Sequence, residues 1–226
     1  MSANVEPMTQ NHADFADAEL LPHARHAIEF QHRLKNLLAI TRAIAARTAE
    51  NSLNLEEFAA HFDGRLAALS RTQKFLARAA TFKIDLEEMV RAELLSHCAE
   101  GLENVTVAGP HVLLSQKAAE NLGLAMHELV TNAVKFGALS FPYGKLAVGW
   151  RIDQPKILAL EWKESAAAPI DPAPARNGFG REFLERGLPY QLRANTHLEF
   201  HSEGVCCLIE LPLAGNAMLY DEGSAL

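Results

Sequence analysis

The sequence is short of cysteine. It has three in 226 residues, Cys98, Cys206 and Cys207, and none stands in a C-x-x-C spacing. Cys206 and Cys207 are adjacent in a strand-like run, so they point to opposite faces and are not expected to pair. This usage suits a reducing compartment and excludes a disulfide scaffold. Long apolar runs are also missing: no stretch reaches the roughly 18 residues that mark a membrane span. Met1 to Phe15 are polar and acidic, without the apolar segment of a secretory signal. Basic charge is in deficit, with a formal net charge of −7. That argues against a general nucleic-acid binder, whose counterion release needs a basic surface, but leaves room for a local phosphate cleft. The expectation is a cytoplasmic, soluble protein with neither a membrane nor a nucleic-acid partner.

What is present suffices for a packed core. Hydrophobic residues make up 49% and charged residues 22% of the chain, the ordinary globular range, and the length suits one or two domains. Residues 1–22 read as a tail with a short helix over Ala13 to Leu21. Pro22 either kinks that helix or opens the next one, where its missing N–H does no harm. A long helix then runs to about Glu50. At ~100° per residue, Phe30, Leu34, Leu37, Thr41 and Ile44 fall in one narrow arc, a buried seam. His32 lies nearly opposite, with Asn36, Ala39 and Ala43 continuing its outer face. After a polar break, Asn54 and Glu57 form an N-cap with a capping-box acid. They open a second helix to about Ala80, with Phe58, Phe62, Leu69 and Leu76 on one side. A short loop between two long amphipathic helices predicts an antiparallel hairpin. Its stripes are wider than one helix pair needs, which predicts either a homodimeric four-helix bundle or packing on the rest of the chain.

From Thr81 the texture changes, and the predicted domain boundary lies near residues 80 to 83. A strand over Phe82 to Leu86 leads into a helix to Ala99. Val105–Val107 and Val112–Leu114 read as short strands around a Gly109-Pro110 turn, and Gln116 to Phe136 as a long helix. Lys145–Ile152 and Lys156–Trp162 form a predicted hairpin. Ala166 to Asn177 reads as a loop, Gly180 to Gln191 as a helix interrupted at Gly187. His197–His201 and Val205–Leu211 make a final hairpin, with a loose tail after Leu213. This is a mixed sheet with helices on one face. The whole is an α+β chain: a helical domain over 23–80, an α/β sandwich over 81–213 and a tail over 214–226.

Two stretches carry chemistry. Glu128, Asn132 and Lys135 are spaced i, i+4, i+7 and share one helical face. A carboxylate or amide oxygen there can hold Mg²⁺, which keeps waters and phosphates as its other ligands, and the lysine neutralises phosphate charge. Without further context such a face is also an ordinary solvated stripe. Downstream, Asn177-Gly178-Phe179-Gly180 precedes a helix, where glycines let backbone approach a phosphate. Glu164 ends the strand Lys156–Trp162 and is placed either to accept from the amino group of adenine or to stand as a surface acid.

In order, these stretches resemble a sensor histidine kinase of the HWE family, across residues 25 to 212. The phosphoacceptor motif is similar to His32-Arg33-Leu34-Lys35-Asn36-Leu37-Leu38. The N-box of the family's nucleotide domain resembles His127-Glu128-Leu129-Val130-Thr131-Asn132-Ala133-Val134-Lys135-Phe136-Gly137-Ala138-Leu139-Ser140. Its Trp-x-Glu resembles Trp162-Lys163-Glu164, and its glycine box Gly178-Phe179-Gly180. The resemblance implies a dimerising phosphotransfer hairpin joined to a Bergerat (GHKL) ATPase domain, with ATP and Mg²⁺. It implies that Asn132 coordinates Mg²⁺, that Glu128 and Lys135 line the triphosphate, and that Glu164 reads adenine. Gly178 and Gly180 would flank a mobile lid.

The function implied is ATP-dependent autophosphorylation of His32, then transfer to an aspartate on a response-regulator receiver domain. His32 is the nucleophile. Arg33 stands where many histidine kinases carry an acidic base and is placed to steady the phosphoryl group, with Asn36 one turn on. Two features depart from the family. Ser165-Ala166-Ala167-Ala168 replaces glycines after the Trp-x-Glu, and alanine is disfavoured where φ is positive. Only about 25 residues precede the phosphoacceptor stretch, too few for a sensory domain, so input is expected from a separate sensory protein. The competing expectation is a non-catalytic histidine phosphotransfer adaptor with a degenerate nucleotide site. A protein-serine kinase of the same ATPase fold is disfavoured, since it needs no histidine hairpin.

Overall fold

The computed structural model describes residues 30–31, 34–78, 83–98, 103–154, 156–165 and 178–219. The expected Ala13–Leu21 helix, His32 and Arg33, and the Ala166–Asn177 loop lie outside the described residues. The chain divides into two compact units, 1–50 and 51–226. In the first, the described residues are helical and form α1 (34–51). Thr48 sits mid-helix with its hydroxyl donating to the Ile44 carbonyl at 2.6 Å, the local bond that lets a β-branched alcohol persist there. Of the expected seam, Ile44 is buried, whereas Phe30 is 66% and Leu34 45% exposed. Asn36, Ala39 and Ala43, on the face expected to carry His32, are exposed.

The second unit opens with α2 (Leu55–Arg78). Its start is a capping box: Glu57 N–H donates to Asn54 Oδ1 at 2.8 Å, and Glu57 Oε2 accepts from Leu53 N–H at 2.7 Å. The units thus divide about 30 residues before the expected boundary near 80 to 83. The reason is packing: Leu76 belongs to the core of the second half, and Arg65 and Gln73 bond to glutamates of a later helix.

A three-stranded antiparallel sheet has the order β1 (Ile84–Asp85), β3 (Val112–Leu114), β8 (Ala217–Leu219). A five-stranded sheet has β2 (Val105–Ala108), β4 (Lys145–Asp153), β5 (Ile157–Ser165), β7 (Gly204–Pro212) and β6 (Asn195–His201). All its neighbours are antiparallel except β2 and β4. The short strands expected around Gly109-Pro110 are present and go to different sheets. The chain breaks there because Gly109 lies against the Trp150 ring, where a Cβ would stand 2.3 Å from Cε2, and the indole N–H donates to Pro110 O. Within the stretch expected to be loose after Leu213, Ala217–Leu219 forms β8 and pairs with β3.

Helices α3 (Leu86–Leu95) and α4 (Gln116–Lys135) are capped by Asp85 and Ser115. The core joins Met89, Leu94, Leu122, Met126 and Leu129 to Leu160, Trp162 and Ile209 of the sheet. The predicted 180–191 helix is three pieces: α5 (Phe179–Glu182), a π-turn over Phe183–Gly187 and α6 (Leu188–Leu192). The widening falls where Gly187 faces Phe183, 2.5 Å from an added Cβ to the ring. Among the described residues, no helix is long and apolar enough to cross a membrane.

Asn216 ties the two sheets' ends together. Its side-chain amide donates to Leu192 O at 3.0 Å and Pro212 O at 2.9 Å, and its main-chain carbonyl accepts from Ser115 N–H at 2.7 Å. Asn216→Ala leaves the buried Leu192 carbonyl without that donor, a loss of about 1–3 kcal/mol. Urea unfolding should show a lower midpoint with an unchanged slope.

Candidate functional site

Helix α4 presents the predicted N-box face, but its members meet different surroundings. Asn132 and Lys135 are exposed. Glu128 is buried under α2, where Arg65 Nε donates to Oε1 at 2.7 Å and Arg65 NH2 to Oε2 at 3.1 Å. The two side chains are 6% and 9% exposed. The Arg65 guanidinium also lies 3.9 Å over the Phe179 ring. Gly180 presses on Glu128 from the other side, since an added Cβ would stand 2.8 Å from Oε2. Gly178, by contrast, is exposed, with open space around it. In this structure Gly180 therefore makes room for a carboxylate.

Glu164 sits at the end of β5, buried beside the start of the 3₁₀ turn Ala138–Ser140. Trp162 and Glu164 are two apart on a strand and share a face. The Trp162 indole donates to Oε1 at 2.9 Å and the Ala138 N–H to Oε2 at 2.8 Å. Gly137 permits this approach, because a Cβ there would fall 2.0 Å from Oε2. Burial pushes the Glu164 carboxyl above the usual range, while these two hydrogen bonds pull it down. The Ala138 contact brings β5's end to the residue three past Lys135. Asn132, Lys135 and Glu164 thus collect at the C-terminal end of α4.

Several residues here carry no motif signal. His61 of α2 is half-buried. Burial, then the charges of Lys135 and Arg65, lower its pKa against the smaller opposing pull of Glu57 and Glu128. His127, which does belong to the N-box motif, turns to α3, its Nδ1 donating to Glu93 Oε1 at 2.9 Å. Arg71 of α2 grips the same carboxylate through Nε and NH2. Glu93, His97 and His127 each offer a ligand atom within 4.8 Å of the others. Arg71 already neutralises Glu93, so the cluster reads as a structural network joining α2, α3 and α4. Arg65 was discoverable from spacing. It shares the α2 seam with Leu69 and Leu76, and a charge on a buried seam demands a partner.

Residues 29–111 match the model of the HWE histidine kinase family. A blue-light-activated histidine kinase of Brucella ovis is 31% identical over 188 residues, 82% of this chain and 38% of that protein. The chain belongs to the HWE histidine kinase family. A family relative of the same description from Brucella anthropi is 27% identical over 191 residues, 83% of this chain and 39% of its own. The chain thus spans under two-fifths of the length of these curated relatives. In structure it resembles the histidine kinase domain of the Erythrobacter litoralis EL346 blue-light-activated kinase. That likeness has a TM-score of 0.56 at 16% identity and covers 78% of this chain and 95% of that one. A second, longer EL346 structure gives 0.60 at 18% identity, covering 84% and 59%. These likenesses establish a histidine kinase fold.

The network sets a pH dependence. Burial alone would raise the Glu93 carboxyl, but the His127 hydrogen bond and Arg71 outweigh it and hold it below the usual range. Below the ordinary glutamate value of about 4.3 the unfolded chain takes up this proton first, so stability falls as pH falls through that window. Urea titrations should show Glu93→Gln less stable at pH 7, with a shallower stability loss between about pH 5 and 3. An unchanged slope would place the acid sensitivity elsewhere.

Proposed function

We propose that this chain is the kinase part of a two-component system, autophosphorylating His32 from ATP and passing the phosphoryl group to a receiver-domain aspartate. The observation that carries this reading is the convergence of Asn132, Lys135 and Glu164 at one end of α4, through the Ala138–Glu164 bond. The donor set fits a Mg²⁺–nucleotide. Asn132 offers an exposed amide oxygen as one of the few protein ligands Mg²⁺ accepts, and Lys135 offers an exposed ammonium to the phosphates. Glu164 gives a buried carboxylate, fixed in orientation by Trp162, for the base. Bound Mg²⁺ would spread the charge developing on the γ-phosphoryl group.

In the step itself an imidazole nitrogen of His32 bonds to the γ-phosphorus while the bond to the ADP oxygen breaks. The ring loses its proton, and Arg33 and Asn36 lie within a turn to steady the transferred group. The phosphoryl group then passes to the receiver aspartate. By the same reading α1 and α2 belong to the phosphotransfer domain and a homodimer completes it. The exposed Phe30, Leu34 and Leu38 support an uncovered apolar face on α1. The second reading, a phosphotransfer adaptor with a weak nucleotide site, is favoured by one feature. Both oxygens of Glu164 and both of Glu128 already have partners within the protein.

Incubation with γ-labelled ATP and Mg²⁺ separates the readings: the kinase acquires an acid-labile label, the adaptor none. His32→Ala should abolish the label and keep a cooperative thermal transition. Asn132→Ala should abolish labelling from ATP yet still accept a phosphoryl group from a phosphorylated receiver. Full labelling of either variant would remove that residue from the site. Light scattering at micromolar concentration tests the assembly, a dimer being expected.

A further inference from the structure

In this structure Glu128 cannot meet a substrate. Its two oxygens are held by one guanidinium, Gly180 lies against its Oε2, and its side chain is 9% exposed. A general base or a phosphate-site carboxylate needs an oxygen within hydrogen-bond reach of the reacting group. The group that blocks it belongs to α2, and the same group covers Phe179 at the start of the glycine segment. One side chain thus joins α2, the N-box helix and the foot of the glycine box.

We propose that Arg65 is a latch: with α2 seated on α4 it withholds Glu128, and the contact must open before His32 can be phosphorylated. This rests on the kinase reading of Glu128. The seat is built for close approach. Gly64 lies over the His127 ring, with an added Cβ 3.1 Å from Nε2. Gly123 lies under Thr72, with an added Cβ 2.6 Å from Oγ1. Glycine on either helix brings the backbones near enough for Arg65 to reach both Glu128 oxygens. Phe179 stacks in turn on Phe183, 5.7 Å between centroids, so withdrawal of Arg65 uncovers the front of the α5 segment as well. Movement of α2 and access to the nucleotide site are one event, and ligand and helix position are therefore linked reciprocally.

A covalent lock tests this. A Cβ added at Gly123 lies 3.9 Å from Thr72 Cβ, the separation that a disulfide bridges. Thr72→Cys with Gly123→Cys, oxidised, pins α2 to α4 without altering Arg65, Glu128 or any proposed nucleotide ligand. Labelling of the oxidised full chain should fall about tenfold or more and return on reduction, as expected when one state alone is competent. The parent chain, treated identically, controls for Cys98, Cys206 and Cys207. Undiminished labelling of the locked form would overturn the latch and leave Arg65 a structural pair. Failure of the cysteines to close would show that α2 does not rest on α4, and would overturn it too. If the parent takes no label, the kinase reading fails by itself. The latch is then read from the Mg²⁺-dependent affinity of a fluorescent ATP analogue, which locking should weaken. Equal affinity in locked and reduced forms, or no binding by either, would overturn it.

Discussion

Helix α4 is buried on every face from Ala118 to Val130, and the rest of the second unit answers to that burial. A helix in this position must be apolar all round or have each polar side chain matched. It carries Glu120, His127 and Glu128 inward. Each is met by a side chain from a neighbouring helix: Gln73 for Glu120, Glu93 for His127, Arg65 for Glu128. Two of the three partners come from α2. The helix that reads as half of a separate hairpin is therefore an integral layer over the N-box helix.

Much of the fold was legible because periodicity and capping are local. The Asn54–Glu57 box, the helix starts at Leu86 and Gln116, the long β4–β5 hairpin and the Gly187 break all stand where spacing and turn chemistry put them. What was missed was non-local. The pairing of β2 with β4, on which the sequence is silent, and the recruitment of Ala217–Leu219 into a sheet depend on partners about 40 and 100 residues away. Nothing within Val105–Leu114 announces that its two strands part company. The decisive contact is Trp150 lying on Gly109.

The candidate site was legible to a similar depth. Motif spacing singled out Asn132, Lys135 and Glu164; the structure leaves the first two exposed near the end of α4 and buries Glu164 against Ala138 just beyond it. Spacing also grouped Glu128 with them, since i, i+4, i+7 fixes a face. It could not say that α2 covers one turn of that face and leaves the next open. The missing signal lay in α2 itself. Arg65 and Thr72 sit among Ala68, Leu69 and Leu76 on the buried side, and polar groups on such a seam require a polar opposite. Counting those groups would have pointed α2 at a helix with buried carboxylates rather than at a second apolar stripe.

The energetics of the Arg65–Glu128 pair suit a contact that opens as a unit. Removing one partner strands a buried charge, at a cost of about 3–5 kcal/mol. Lifting α2 away does something different: both ions regain water together, and the desolvation they suffered on closing is returned. For a buried pair the desolvation penalty can match or exceed the Coulombic gain. The electrostatic resistance to opening is then small, and the barrier rests on apolar contacts such as Leu76 and on the Arg71–Glu93–His127 network, which lies further along α2. A signal that loosens those contacts need not supply the energy of a buried salt bridge. The pair adds register instead, because a guanidinium that must meet two oxygens and a ring face fits only one seating of the helix.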